Sequence, residues 1–202
     1  MTEGCAYSER MRWGSLFGDM EAQLAEALRL EWESGAAERE RGELARIALV
    51  DRLRGSEGNV VSLELQGSLR LLGRLQRVGS DWLVLEESAS DWLVATRGIR
   101  TVSGLAQAAP PSEGPLWSRL GLASALRVVT RDRSSVRVFL ERGGPEALVV
   151  PGIIARVGAD FLELRAETLP GEPVGDQGLL AVSFAGVIAL QGGAGGGVFQ
   201  GV

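Results

Sequence analysis

One segment of the chain occurs twice, and this internal repeat constrains the fold more than any other feature of the sequence. Residues 77–85 read RVGSDWLVL, and residues 156–164 read RVGADFLEL. Six of the nine positions are identical, and the substitution of Trp82 by Phe161 keeps an aromatic side chain. A repeat inside one chain indicates two copies of one folded unit.

The repeat extends from a helical pattern that opens each copy to the last strand of that copy. The matched pairs are Leu53/Val129, Val60/Val136, Gly73/Gly152, Gly79/Gly158, Asp81/Asp160, Val94/Val182, Gly98/Gly186 and Ile99/Val187. The second copy has extra residues in its first hairpin and in the loop before its fourth strand. Both insertions fall in turns, where a structural repeat tolerates them.

Hydrophobic periodicity predicts a mainly β chain with an N-terminal α-helical arm. The predicted strands of the first copy are 61–65, 69–77, 81–86, 91–96 and 99–102, and those of the second are 136–140, 148–156, 160–165 and two strands within 179–190. The predicted domains are a disordered N-terminus (1–14), the arm (15–42), the first copy with its helix (43–105), a linker (106–118), the second copy with its helix (119–191) and a flexible glycine-rich tail (192–202). Residues 15–55 form either one bent helix or two, since Gly35 and Gly42 weaken a continuous helix.

A short helix followed by five bent antiparallel strands resembles the Sm-like fold, the small barrel of Sm proteins and related bacterial RNA chaperones. The residues that carry the resemblance are Val61-x-Leu-x-Leu, Gly73, Val78-Gly79-x-Asp81 and Val94-x-x-Arg97-Gly98-Ile99. The resemblance implies two tandem five-stranded Sm-like or SH3-like barrels, each preceded by a helix. In that family a glycine in the second strand permits strong bending, and Gly73 and Gly152 lie at that place.

The RNA-binding residues of the Sm family are only partly present. Such sites use an aspartate and an asparagine in one loop and an Arg/Lys-Gly pair in a later loop. Asp81 matches the first position, but Val84 and Glu163 stand where asparagine is needed. Arg97-Gly98 matches the later pair, whereas Ala185-Gly186 lacks the charge. An RNA ring with one uridine pocket per subunit is therefore not expected.

The N-terminal stretch carries a second resemblance. Residues 11–17, MRWGSLF, followed by Glu21-Ala22-Gln23, are similar to the opening of an actinobacterial family of small proteins of obscure function. Some members of that family are labelled transcriptional regulators, although no helix-turn-helix pattern is present here.

Composition argues against most enzyme classes. The chain has no histidine, its basic residues are all arginine, and Cys5 is its one cysteine. It therefore lacks the commonest general base and metal ligand, a Schiff-base lysine and the phosphate-binding lysine of a P-loop. We expect no catalytic residue, cofactor or metal, and the net charge of −5 does not attract nucleic acid as a whole. No leader or membrane-spanning pattern is visible, so a cytoplasmic location is expected.

Five positions in the strands are candidates with two interpretations each. Asp81 and Asp160 are either a carboxylate site or turn-capping residues, and the second is favoured. Trp82 and Phe161 either stack on bases or fill the core, and the core is favoured. Trp92 packs between the two copies or lies exposed at an interface.

Two surfaces are candidates for binding a partner. Trp13, Leu16, Phe17 and Met20 form an apolar helical stripe that packs on the rest of the chain or binds protein, including a second copy. An excess of arginine over residues 119–142 includes Arg127, Arg131, Arg133 and Arg137, and with Arg97-Gly98 it is a candidate nucleic-acid site. Alternatively, those arginines form a solvated surface that balances the acidic helix. The sequence favours a non-enzymatic adaptor or scaffold that binds protein partners, including further copies of itself, through its N-terminal helix and barrel edges. The alternatives are an RNA- or DNA-binding regulator that uses the arginines and, more distantly, an enzyme that uses carboxylates alone.

Overall fold

The computed structural model describes residues 45–88, 90–107, 116–167 and 179–192, together with Glu26 and Arg29. Glu26 and Arg29 form an ion pair at 2.7 Å, and Glu26 is helical like Arg29. The chain divides into two compact units between Ile47 and Ala48, and the architecture below concerns the second unit. The other residues of the predicted N-terminus and arm, and the tail after Gly192, lie outside the described residues.

Each copy of the repeat consists of a short helix and five strands. The helices are α1 (Leu49–Arg54) and α2 (Leu122–Asp132). The strands of the first copy are β1 (Val60–Leu65), β2 (Arg70–Val78), β3 (Trp82–Glu87), β4 (Ser90–Ala95) and β5 (Ile99–Ser103). Those of the second copy are β6 (Ser135–Leu140), β7 (Leu148–Val157), β8 (Phe161–Ala166), β9 (Leu179–Ser183) and β10 (Val187–Gly192).

All ten strands belong to one antiparallel sheet in the order β5-β1-β2-β3-β4-β10-β6-β7-β8-β9. The prediction of a mainly β chain is confirmed. Within this sheet the first copy has the order β5-β1-β2-β3-β4 and the second has the matching order β10-β6-β7-β8-β9. The pairing of β4 with β10 joins them and leaves β5 and β9 as the two edges.

Strand register matches between the copies almost residue by residue. The β2–β3 ladder shifts between Leu75 and Arg77, and the β7–β8 ladder shifts between Ile154 and Arg156. Gly79 N–H donates to Trp82 O at 2.8 Å, and Gly158 N–H donates to Phe161 O at the same distance. The two glycines therefore occupy equivalent places in the fold.

The predicted match of Val60 to Val136 is wrong by one residue. Val61 pairs with Gly73, and Val136 pairs with Gly152, so Val61 is the counterpart of Val136. The first hairpin of the second copy is accordingly one residue longer, relative to the first copy, than the sequence match implied. Periodicity alone did not reveal this because both Val60 and Val61 suit a strand.

The two hydrophobic cores share strands at the centre of the sheet. On β3, Trp82 packs in one cluster and Leu83 packs in the other. The same division holds on β4, where Leu93 faces the first of these clusters and Val94 the second. The central strands are buried on both faces, as expected when a sheet is covered on both sides. The cluster that contains Trp82 includes α2, so each copy completes the core of the other.

Glu57 provides a pH-dependent contribution to the stability of the first copy. Its Oε1 accepts a hydrogen bond from Val78 N–H at 2.8 Å. Burial raises the pKa of Glu57 above its ordinary value of 4.5, although this hydrogen bond and the charges of Arg54 and Arg77 oppose the change. The folded state therefore binds this proton more tightly than the unfolded state does, and stability falls as the pH rises from below 4.5 through the folded-state pKa.

We expect Glu57→Gln to remove this step. A glutamine oxygen still accepts from Val78 N–H, but no charge has to be desolvated. The difference in unfolding free energy between the variant and the wild type should move in favour of the variant as the pH rises through that interval. Urea titrations at several pH values measure it, with Glu146→Gln in the exposed loop as the control. A difference that does not depend on pH would contradict the assignment.

Candidate functional site

The turn before β3 forms hydrogen bonds with the residues that begin α2 in the second copy. The carbonyl oxygen of Leu120 accepts hydrogen bonds from Ser80 N–H at 3.1 Å and from Trp82 Nε1 at 2.8 Å. Asp81 Oδ1 accepts from Leu122 N–H, the first residue of α2, at 2.7 Å. Asp81 therefore caps a helix of the other copy, where its charge also complements the helix dipole. The interpretation of Asp81 as a cap of its own turn did not include this contact with the second copy.

The aromatic residues at the two equivalent β3 and β8 positions have different surroundings. Trp82 is fully buried in the core that includes α2, whereas Phe161 is 39% exposed. The core interpretation is therefore right for Trp82, while Phe161 remains available to a partner. Asp160 is exposed, and among the residues that the structure describes none donates a hydrogen bond to its carboxylate.

Two side chains reinforce the pairing of β4 with β10. Trp92 is buried and packs against Phe139 of the second copy, with ring centroids 5.1 Å apart. It therefore lies between the copies, as one of the two interpretations proposed. Arg97 Nη2 donates to Val187 O at 3.0 Å across the same junction. Burial lowers the pKa of Arg97, and the charges of Asp81 and Glu141 oppose this effect.

A short segment before α2 lies on the first copy and covers the end of β2. This connecting segment is the 3-10 helix Leu116–Arg119. Arg54 Nη2 donates to Gly79 O at 3.0 Å and to Ser118 O at 2.8 Å. The guanidinium of Arg77 lies over the Trp117 ring, 5.6 Å from its centroid. The connecting segment of the same chain is thus bound to the surface of the first copy.

The second copy has an open, arginine-lined groove between α2 and β7. We call it the arginine groove; its volume is about 760 Å³. The four arginines that line it are Arg127, Arg131, Arg133 and Arg165. The floor is apolar and includes Ile153 and Ile154. Arg127 Nη2 donates to Gly158 O at 3.0 Å, so one side of the groove reaches the turn before β8.

The charge of this groove is reversed relative to the first copy. Arg165 pairs with Ile153 on β7, and the corresponding neighbour in the first copy is Glu86, which pairs with Arg74. Arg127 corresponds to Asp51 when the helices are matched at Leu53 and Val129. The second copy is therefore basic where the first carries carboxylates.

The six residues of the predicted nucleic-acid site separate into three groups. Arg127, Arg131 and Arg133 come together in the arginine groove. Arg97 and Gly98 belong to the junction. Arg137 lies on β6, where it donates to Gln191 at 3.2 Å and stands over the Phe139 ring.

Arg165 was not predicted as a site residue, because it lies outside the arginine-rich stretch. A comparison of the two copies could have identified Arg165, because Glu86 occupies the equivalent position with the opposite charge. The predicted stripe of Trp13, Leu16, Phe17 and Met20 lies outside the described residues.

The described part of the chain has neither a metal-binding cluster nor a membrane-spanning helix. It holds no group of three or more histidine, cysteine, aspartate or glutamate residues placed to hold a metal ion. None of its helices has the length and apolar character needed to cross a membrane. No protein-family model matches this chain, and no curated protein is significantly similar to it.

Proposed function

We propose that this protein is a non-enzymatic scaffold, built from two tandem Sm-like barrels, that binds protein partners and copies of itself through its strand edges. The observation that carries the proposal is the β4–β10 junction, where one copy of the repeat already binds the other. Because the copies are equivalent, the edge strand β9 corresponds to β4 and the edge strand β5 corresponds to β10, and neither edge is paired within the described residues. A second molecule can repeat the junction by pairing its β5 with β9, which is a head-to-tail contact.

The edge strand β5 carries fewer apolar side chains than its counterpart β10 at the junction, which favours reversible association. Ile188 and Ala189 of β10 are buried at the junction, whereas Arg100 and Thr101 are exposed at the matching places on β5. A charged side chain on an edge strand limits indiscriminate pairing. Leu179 on β9 remains 46% exposed. We therefore expect association that depends on concentration rather than a permanent complex.

Light scattering at increasing protein concentration tests whether molecules associate through the β9 edge. We expect the mean mass of the wild type to rise, and we expect Leu179→Arg combined with Ala181→Arg on β9 to keep the protein monomeric. The control is Leu72→Arg, because Leu72 is 61% exposed but lies on the interior strand β2. A wild type that stays monomeric, or an equal effect of the control, would rule out pairing through β9.

A nucleic-acid-binding regulator is the second candidate function. Its support is the meeting of Arg127, Arg131 and Arg133 in one groove, since clustered arginines attract phosphates. Partner binding through the apolar N-terminal stripe stays a separate prediction, and so does a cytoplasmic location. Binding of single-stranded RNA that weakens with salt, and is lost when these arginines become glutamate, would favour this candidate.

A further inference from the structure

We propose that the Gly158–Phe161 turn and the arginine groove form a docking site for an acidic peptide segment that leads into a helix of a partner protein. This inference rests on the proposed function as a protein-binding scaffold and names the chemistry of one partner. The site differs from the β9 edge in its residues, so the two can fail independently.

The first copy displays how such a segment binds. The Gly79–Trp82 turn and Arg54 hold residues 116–122 mostly through backbone atoms: the carbonyl groups of Ser118 and Leu120 accept, and the N–H of Leu122 donates. Backbone recognition of this kind needs a 3-10 turn followed by a helix start and little side-chain specificity. The same turn in the second copy therefore has the geometry for another segment of this shape.

Three features of that binding site have counterparts in the second copy: an arginine that donates to the glycine carbonyl, an aspartate and an aromatic residue. Arg127 donates to Gly158 O as Arg54 donates to Gly79 O. Asp160 takes the place of Asp81 and has an exposed carboxylate, which can accept the N–H of an incoming helix start. Phe161 takes the place of Trp82 and is 39% exposed, so it offers an apolar contact.

The charge of the groove selects an acidic segment. Arg127, Arg131, Arg133 and Arg165 line one groove, whereas the first copy has Asp51 and Glu86 at two of these positions. The guanidinium group forms bidentate hydrogen bonds with carboxylates. Glutamate or aspartate side chains on the incoming segment would neutralise this cluster, and the apolar floor would take an aliphatic side chain.

Asp160 favours a peptide over a nucleic acid. A carboxylate beside the Gly158 end of the groove repels phosphate groups but accepts hydrogen bonds from peptide N–H groups. In the first copy the equivalent Asp81 makes such a bond. In the first copy a polypeptide segment binds this turn, so we propose a polypeptide for the second copy as well. Binding of nucleic acid is the alternative outcome of the test.

Fluorescence anisotropy with two labelled peptides and the full chain tests the proposal. The first peptide has the sequence of residues 116–126, which matches the segment already docked on the first copy. The second carries Arg119→Glu and two added glutamates before Leu116. Since the first copy's site is filled by its own segment, added peptide reports on the second copy. We expect the acidic peptide to bind about tenfold more tightly, with affinity that falls as salt rises.

Variants of the protein localise the binding. Arg127→Glu combined with Arg165→Glu should weaken the acidic peptide by about tenfold or more, and Phe161→Ser, which changes no charge, should weaken both peptides. Arg142→Glu, a charge reversal in the exposed loop between β6 and β7, should leave binding unchanged. Equal affinity for the two peptides, no effect of the groove variants, or displacement of the peptide by a short RNA that binds more tightly would overturn the proposal.

Discussion

Trp82→Ala should destabilise the protein by about 3–5 kcal/mol, the usual cost of truncating a large buried aromatic residue. The indole ring is fully buried in the core that includes α2, so its removal leaves a cavity. It also removes the donor to the Leu120 carbonyl. Urea unfolding monitored by far-ultraviolet circular dichroism measures the change.

The repeat supplies a matched control for this substitution. Phe161→Ala changes the equivalent position, but its ring is 39% exposed, so the cost should be about 1 kcal/mol or less. Similar losses at the two positions would mean that the second copy is not seated on the Gly79–Trp82 turn. A small loss at Trp82 alone would contradict its burial between α2 and the sheet.

The internal repeat allowed much of the secondary structure to be predicted from the sequence. The strands fall within one or two residues of the predicted ones, because two independent copies had to satisfy one pattern. The predicted turn at Gln66–Ser68 is a 3-10 turn in which Gly67 has φ of 70°. Local patterns of this kind are properties of short segments, and they survive in any fold that contains those segments.

The junction between the copies could not be predicted with the same argument. A repeat reports what the copies share, whereas the junction depends on where they differ. The relevant signal is the unbroken apolar run Trp92-Leu93-Val94-Ala95 on β4, which is typical of a strand buried on both faces. The corresponding stretch of β9 ends in Ser183 and keeps exposed positions on the edge. Similarly, the role of Asp81 depends on α2, which is distant in sequence.

The asymmetry between equivalent positions is also the best guide to function. Trp82 is buried and Phe161 is partly exposed; Asp81 binds Leu122 N–H and Asp160 is exposed. Each difference arises because the first copy has a neighbour on that side and the second copy, within the described residues, does not. The second copy thus keeps an aspartate and an aromatic side chain at the turn by which the first copy contacts the segment before α2.

Gly73→Ala and Gly152→Ala should each destabilise the fold by about 2–3 kcal/mol, typical of forced overpacking in a core. An added Cβ at Gly73 would overlap the carbonyl oxygen of Glu86 on β3, and one at Gly152 would overlap that of Arg165 on β8. These contacts involve backbone atoms, so relief requires the paired strands to separate. The loss of unfolding free energy in urea measures the effect for each variant.

Gly144→Ala is the control for both substitutions, because no atom lies within 4 Å of a Cβ built at Gly144. It should change stability by about 0.5 kcal/mol or less. If Gly73→Ala were as mild as this control, β2 and β3 would not approach as closely as the paired register requires. Losses of similar size at Gly73 and Gly152, by contrast, would show that both copies bend at one equivalent residue, which is the property that the tandem-barrel proposal needs.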